Sequence, residues 1–349
     1  MTTLRILHLS DMHLMDPQLT EGTALHQGVV DTVAAYKHTL AAFENAGPLD
    51  LVVLSGDVSD DGSPASYRTL RSLTGDFASR HGAVAIYAMG NHDQRAGFRE
   101  VLGNGHGPLA GGNTVGSNAD VPAAVERAAV EHADEPPIMG MSHIAGYRVI
   151  TVDSSVPGRT HGLVDGEQLA WLRAELSTRH GHGTVVVIHH PPVEPVTALH
   201  QGIELQNAEQ LAEALAGTDT VAILSGHYHH HLTDVLAAGA SRIPVVVTSG
   251  IVNSNDVMAA PGHERALAGS GGTLITISAF PGASSERQGQ PHLSGQLQVG
   301  QLARVRTLPL RFQLPVSISP EVVFDLDESE VARISQIISA TGAERSQKG

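Results

Sequence analysis

The apolar positions of the first half fall in short, nearly unbroken runs rather than in strict alternation. LRILHLS at residues 4–10, LVVLS at 51–55 and VAIYAM at 84–89 are followed later by YRVITVD, TVVVIHH and VAILS. Such runs suit strands covered on both faces, as in largely parallel sheets. Helical patterns lie between them. Residues 29–45 and 207–216 fit helices, and Ser63 fits an N-cap with Pro64 behind it, opening a helix to about residue 80. Residues 166–179 put Leu169, Leu172 and Leu176 on one face. After residue 231 the helices stop. RIPVVVTSG, GGTLITISAF and QLARVRTLPLRF read as strands joined by Gly, Pro and Ser turns, and predict a second sheet made in series. The expected fold is α/β, a four-layer α-β-β-α sandwich of two mixed β-sheets flanked by helices.

Residues 103–120 are dense in Gly and Asn without periodicity and read as a loop insertion, followed by a short helix at 121–133. Residues 281–292 read as a polar loop. With no internal repeat and no clear linker, residues 1–312 are expected to form one domain. Residues 313–349 then make a C-terminal extension. In it a helix at about 327–340 turns Val331, Ile334, Ile337 and Ile338 inward, and the last residues form a disordered tail.

The composition narrows the chemistry. A chain of 349 residues with 41% hydrophobic residues can bury a large core. Its net charge of −15 argues against a basic surface for a nucleic-acid duplex or an anionic membrane. The absence of cysteine excludes disulfides and thiolate metal sites. No apolar run approaches the ~20 residues of a membrane span. LRILHLS begins at residue 4 without a signal-like segment, so a cytoplasmic location is expected.

The chemistry lies just past the ends of five strand-like runs. Asp11 and His13 stand in SDMH, Asp57 in SGD, Asn91 and His92 in GNHD, His189 and His190 in HHPP, and His227 and His229 in SGHYH. In a mostly parallel sheet, ligands gather at the carboxyl ends of the strands, so these distant segments can converge. Residues two apart on extended backbone point the same way, which would aim Asp11 with His13 and His227 with His229. Carboxylate oxygen and imidazole nitrogen together suit iron, manganese, zinc or cobalt. Asp57 is the natural carboxylate to bridge two cations roughly 3.5–4 Å apart. The Asn91 side chain offers a neutral oxygen. Either His189 or His190 could be the ligand, with His189 preferred. His92 is placed to reach substrate, and Asp93 to orient its ring.

Together DMH, GD, GNHD, HHPP and GHYH resemble the calcineurin-like metallophosphoesterase superfamily over residues 4 to about 250. The resemblance implies one metal on Asp11, His13, Asp57 and His229, and a second on Asp57, Asn91, His189 and His227. It gives His92 the catalytic role. GDVSDDGSPASYRTLRSL, GNHDQRAGFREVLG and DSSVPGRTHGLVDGEQLAWLRAEL are similar to bacterial class III cyclic-nucleotide phosphodiesterases and their glycerophosphodiesterase relatives. By that likeness His161 becomes a candidate substrate contact.

The implied reaction is hydrolysis of a phosphodiester, a small molecule such as 3′,5′-cAMP or 2′,3′-cAMP. A bridging hydroxide attacks, and His92 assists the leaving group. Two rivals stand beside it: a glycerophosphodiesterase or broad phosphoesterase, and a metal-binding protein without turnover. A purine would want an aromatic or apolar wall, and with 3% aromatic residues the places to look are Tyr228 and residues 103–120. A homodimer is expected from the frequency of two-fold assemblies.

Overall fold

The computed structural model describes residues 2–16, 18, 25–107, 114–115, 135–279 and 303–346. The helix expected at 121–133, the loop expected at 281–292 and most of the 103–120 insertion lie outside them.

The chain opens with β1 (Thr3–Leu9), a small hairpin of β2 (Leu25–His26) and β3 (Val30–Asp31), and α1 (Thr32–Ala42). It continues through β4 (Leu51–Leu54), α2 (Pro64–His81), β5 (Val84–Tyr87) and α3 (Arg95–Leu102). Helix α1 starts later than the apolar pattern suggests, because the Asp31 carboxylate accepts the Ala34 N–H and sets the cap there. Helix α2 is bounded as expected. Ser63 accepts the Ser66 N–H, and Gly82, at φ 71°, turns the chain out of the helix.

Next come β6 (Thr114–Val115), β7 (Gly140–Ile144), β8 (Tyr147–Val152), α4 (Gly166–Glu175), β9 (Thr184–Ile188) and α5 (Ala208–Leu215). They are followed by β10 (Thr220–Ser225), β11 (Leu232–Ala238) and β12 (Ser241–Val247). The last third holds β13 (Ser254–Asn255), β14 (Glu264–Leu267), β15 (Ser270–Ala279), β16 (Ala303–Phe312), β17 (Val322–Leu326) and α6 (Glu328–Ser346). Part of the expected insertion is therefore strand, since β6 pairs with β7.

Two mixed sheets result, in the orders β16-β15-β1-β4-β5 and β11-β12-β10-β9-β8-β7-β6. Side-chain parity makes the four layers. In β1, Leu4 and Ile6 join the core between the sheets, while Leu7 and Leu9 pack outward with Tyr36, Leu40 and Phe77 of α1 and α2. In β9, Val185 and Val187 face inward, and Val186 and Ile188 meet Leu169, Leu172 and Leu211 of α4 and α5. Each such buried side chain is worth roughly 1.5–3 kcal/mol of apolar burial. Both faces being covered is why the runs are apolar at successive positions.

The late strands correct the expectation of a sheet made in series. Strands β11 and β12 extend the second sheet, but β15 and β16 return to the first, with β15 antiparallel to β1. Pairing partners are chosen by which faces Ile275 and Ile277 can bury, here the space between the sheets. Helix α6 runs to Ser346, beyond the expected 340, into residues expected to be disordered. It buries Val331, whereas Ile337 is 52% exposed rather than inward. The helix meets the body at β17 and the 198–200 turn, so its apolar stripe is used near its start.

Candidate active site

All seven candidate ligands lie past the carboxyl ends of β1, β4, β5, β9 and β10, at one end of the sandwich. The structure brings the side chains of Asp11, His13, Asp57, His189, His227 and His229 together, and buries Asn91 Oδ1 in the turn beside Asp57. His13 Nε2 is 3.7 Å and His189 Nε2 3.4 Å from Asp57 Oδ2. His229 Nε2 is 3.3 Å and His189 Nε2 4.0 Å from Asp11 Oδ1. Ligand atoms of Asp11, His13 and His229 fall within 4.8 Å of one another, as do those of Asp11, Asp57 and His189.

The backbone reaches this arrangement differently from the expectation of extended pairs. Asp11 (φ 56°), His13 (47°), Asp57 (47°), His227 (69°) and His229 (51°) are all left-handed. They are five of the seven described non-glycine residues with positive φ, so the strain is concentrated at the site. Each costs on the order of 1 kcal/mol, and local contacts hold it. The Asp11 N–H donates to Gly56 O, the His13 N–H to Asp57 O, and the His227 N–H to the Asp11 carboxylate. Gly56 and Gly90 allow the close approach, since a Cβ at the first would overlap the His189 ring and at the second the Asp57 amide.

Hydrogen bonds fix which nitrogen each ring offers. His189 Nδ1–H donates to Ser55 O at 2.9 Å, His13 Nδ1–H to Asp60 Oδ1 at 2.8 Å and His229 Nδ1–H to Asn253 Oδ1 at 2.6 Å. All three leave Nε2 for the centre. His227 is reversed, with Nε2–H donating to Ile203 O at 3.0 Å, so its Nδ1 is the free nitrogen. His190 has both nitrogens engaged, at Ser154 Oγ and Thr160 O, which favours His189 as the ligand.

The buried atoms left without a partner include His13 Nε2, His189 Nε2 and Asn91 Oδ1. Buried polar atoms are rarely orphaned, and these three, of twelve such side-chain atoms among the described residues, are the ones that belong to candidate ligands. The mixed carboxylate, imidazole and amide set fits borderline cations.

His92 stands at the edge, its side chain 42% exposed. Its ring is not oriented by Asp93. The Asp93 carboxylate instead accepts from the backbone N–H groups of Val58, Ser59 and Gly90 and from Tyr67 Oη, tying the GNHD turn to the Asp57 loop. The His92 Nδ1–H donates to Asp60 Oδ1 at 2.9 Å. Asp60 thus holds two rings, His13 and His92. The only sequence signal for it is its place three residues after Asp57. Asn253, which holds His229, carried no such signal.

Charge follows from these contacts. Burial alone would raise the Asp57 carboxyl, but His189, His92 and His13 outweigh it and hold its pKa well below the ordinary carboxylate range. Burial opposes protonation of His92, yet Asp57 and Asp60 raise its pKa to about 9. Burial, then Asp57, lifts Asp93 to about 7. Burial, with His189 nearby, pushes His190 down to about 3.

His161 sits beside Gly162, which lies flat on the His190 ring, and it is half-buried. Tyr228 is fully buried with its hydroxyl on Val193 O, so it is no open wall for a purine.

A family model described as calcineurin-like phosphoesterase matches residues 4–231. The chain belongs to the calcineurin-like phosphoesterases and is a metal-dependent phosphodiester hydrolase. It is 34% identical over 281 residues to a cAMP/cGMP dual specificity phosphodiesterase of Mycobacterium tuberculosis, covering 79% of this chain and 76% of that one. A glycerophosphodiester phosphodiesterase of Enterobacter lignolyticus is 30% identical over 200 residues, covering 57% and 63%. A 3′,5′-cyclic adenosine monophosphate phosphodiesterase of Pseudomonas aeruginosa is 27% identical over 226 residues, covering 64% and 69%. Among the described residues no helix is long and apolar enough to cross a membrane.

Proposed function

We propose that this hydrolase cleaves a cyclic nucleotide at a two-metal centre. One metal would be held by Asp11, His13, Asp57 and His229, and the other by Asp57, Asn91, His189 and His227. The observation that carries the reading is that three of these ligands keep buried ligand atoms without a hydrogen-bond partner where both sheets deliver aspartates and histidines. Similarity to the mycobacterial dual specificity enzyme over most of both chains supports the substrate class. Bound there, two cations supply Lewis acidity to the phosphoryl oxygens and lower the pKa of water toward ~7.

The chain's own residues do the rest. Asp57 stays ionised and available to both cations. Asp60 accepts the His92 Nδ1–H and favours the imidazolium, which leaves the Nε2–H to donate to the departing alkoxide oxygen. The partial exposure of His92 lets a small diester reach it. A glycerophosphodiester is the second reading, favoured by the similarity to the Enterobacter enzyme.

The test is hydrolysis by metal-stripped protein reloaded with manganese. The panel holds 3′,5′-cAMP, 2′,3′-cAMP, glycerophosphodiesters, an aryl diester and an aryl monoester. Preference for a cyclic nucleotide supports the reading. Preference for glycerophosphodiesters moves the substrate to the second reading, and turnover of the monoester alone overturns both.

A further inference from the structure

The metal position of Asn91, His189 and His227 draws on two separate sheets. Asn91 follows β5 of the first sheet, and His189 and His227 follow β9 and β10 of the second. Ligand bonds tolerate displacements of only about 0.5 Å, so some contact must set the spacing between the GNHD turn and the loops opposite.

Arg95 is placed to do this. It is the first residue of α3, three after His92, and its side chain is 11% exposed. Its Nε donates to Asp153 Oδ2 at 2.9 Å, Nη1 to Glu135 O at 2.7 Å and Nη2 to Ser155 O at 3.0 Å. Asp153 is fully buried at the end of β8 in the second sheet. Its other oxygen accepts the Ser155 N–H at 2.8 Å and the Ser155 hydroxyl at 2.5 Å, and Ile138 donates to Oδ2 at 3.0 Å. Gln168 of α4 bonds both the N–H and the C=O of Asp153.

The next residue passes this fixed point to the metal position. Ser154 Oγ is 2.8 Å from His190 Nδ1 and also accepts the His190 N–H. The His190 ring lies 4.3 Å from that of His227, and His190 directly follows His189. The path Arg95–Asp153–Ser154–His190 therefore joins the turn that carries Asn91 to the loops that carry His189 and His227. The Asp11, His13 and His229 position is closed across the sheets by other contacts. The Ile251 N–H donates to Ser10 O and Asp11 O, and Asn253 holds His229.

A buried ion pair is weak evidence of stability, because desolvation offsets much of its attraction. Its three-way fork is a geometric device. We propose that Arg95 is a positioning residue that sets ligand spacing at the Asn91, His189 and His227 metal position and acts far less on the other position, which shares only Asp57 with it. This rests on the two-metal reading above.

The test is Mn²⁺ binding to metal-stripped protein, followed by titration calorimetry, elemental analysis and the exchange-coupled manganese signal in electron paramagnetic resonance. The wild type should take two Mn²⁺ per chain. Arg95→Met should weaken one site by about 10-fold, the low end of the cost of losing a ligand's direct partner because Arg95 acts through intermediates, and diminish the coupled signal at stoichiometric metal. The second site should weaken far less. Arg95→Lys should recover part of the loss. Ser154→Ala, which cuts the path at a single hydroxyl, should weaken the same site to a smaller degree and guards against a misfolded arginine variant. Unchanged binding in Arg95→Met and Ser154→Ala, or equal weakening of both sites, overturns the inference while the two-metal reading stands. A wild type that binds fewer than two Mn²⁺ overturns that reading and the inference with it.

Discussion

Strand β8 runs between two buried arginine–aspartate pairs. At its amino end Arg148 donates to Asp219 Oδ1 at 3.0 Å, Thr184 Oγ1 at 2.8 Å and the Glu175 and Thr178 carbonyls. At its carboxyl end the strand leads into Asp153, which accepts the Arg95 Nε–H. The same device serves different neighbours. Asp219 also accepts from Thr184 Oγ1 and the His180 N–H, so the amino-end pair organises strand starts. The carboxyl-end pair stands beside orphaned ligand atoms and left-handed aspartates and histidines. The amino end is not free of such features, since Ala145 is left-handed and His182 Nδ1 is unpartnered, but at the carboxyl end they fall together on aspartates and histidines that can hold groups the chain does not supply. Strain and unpartnered atoms persist there because the surrounding layers over-determine the loops.

The sharpest test of this contrast is chemical. His92→Ala should lower kcat by about 10²–10⁴-fold, the usual range for a general acid, while elemental analysis still finds two Mn²⁺ per chain. Equal kcat would remove His92 from the reaction. Arg148→Met should act in the opposite sense. It leaves Asp219 buried and without its cation, so urea unfolding should show a loss of about 3–5 kcal/mol with both Mn²⁺ affinities unchanged. A change in metal affinity would mean that the two ends are not independent.

His106 tests the ground between them. It pairs with Ile86 of the first sheet and reaches Ser142 Oγ and Thr151 Oγ1 of the second, and burial pushes its pKa down to about 3. The folded chain keeps it neutral, while the unfolded chain takes up a proton near 6.5. The unfolded state therefore binds more protons between those values. The stabilisation is full above pH 6.5 and is lost as pH falls through that window. His106→Gln should remove about 2 kcal/mol of the stability loss between pH 6.5 and 5, read from urea midpoints at several pH values. An unchanged slope would reject the assignment. The smallest effect belongs to Ser63→Ala. Loss of the α2 cap should cost about 1 kcal/mol in thermal unfolding and shift neither metal binding nor kcat.

Much of this was legible in the residues. The five motif blocks, their order and the continuous apolar strands led to the layers and to the site. The Asp93 reading failed because an adjacent carboxylate is the obvious partner by sequence, whereas the turn that exposes His92 points Asp93 into backbone amides. Asp60, 32 residues upstream, fills the gap through the Asp57 loop. Asn253 and Arg95 left no trace because a bond across sheets has no spacing in the chain.

By itself the sequence determined which side chains could bind metal and that the early strands would be covered on both faces, since donor type and apolar runs are local properties. Tertiary structure decided that β15 lies beside β1, that five of the candidate ligands sit in left-handed backbone, and which nitrogen each imidazole turns to the centre. Those outcomes depend on contacts between segments far apart in the chain, where many pairings satisfy the same pattern and packing selects among them.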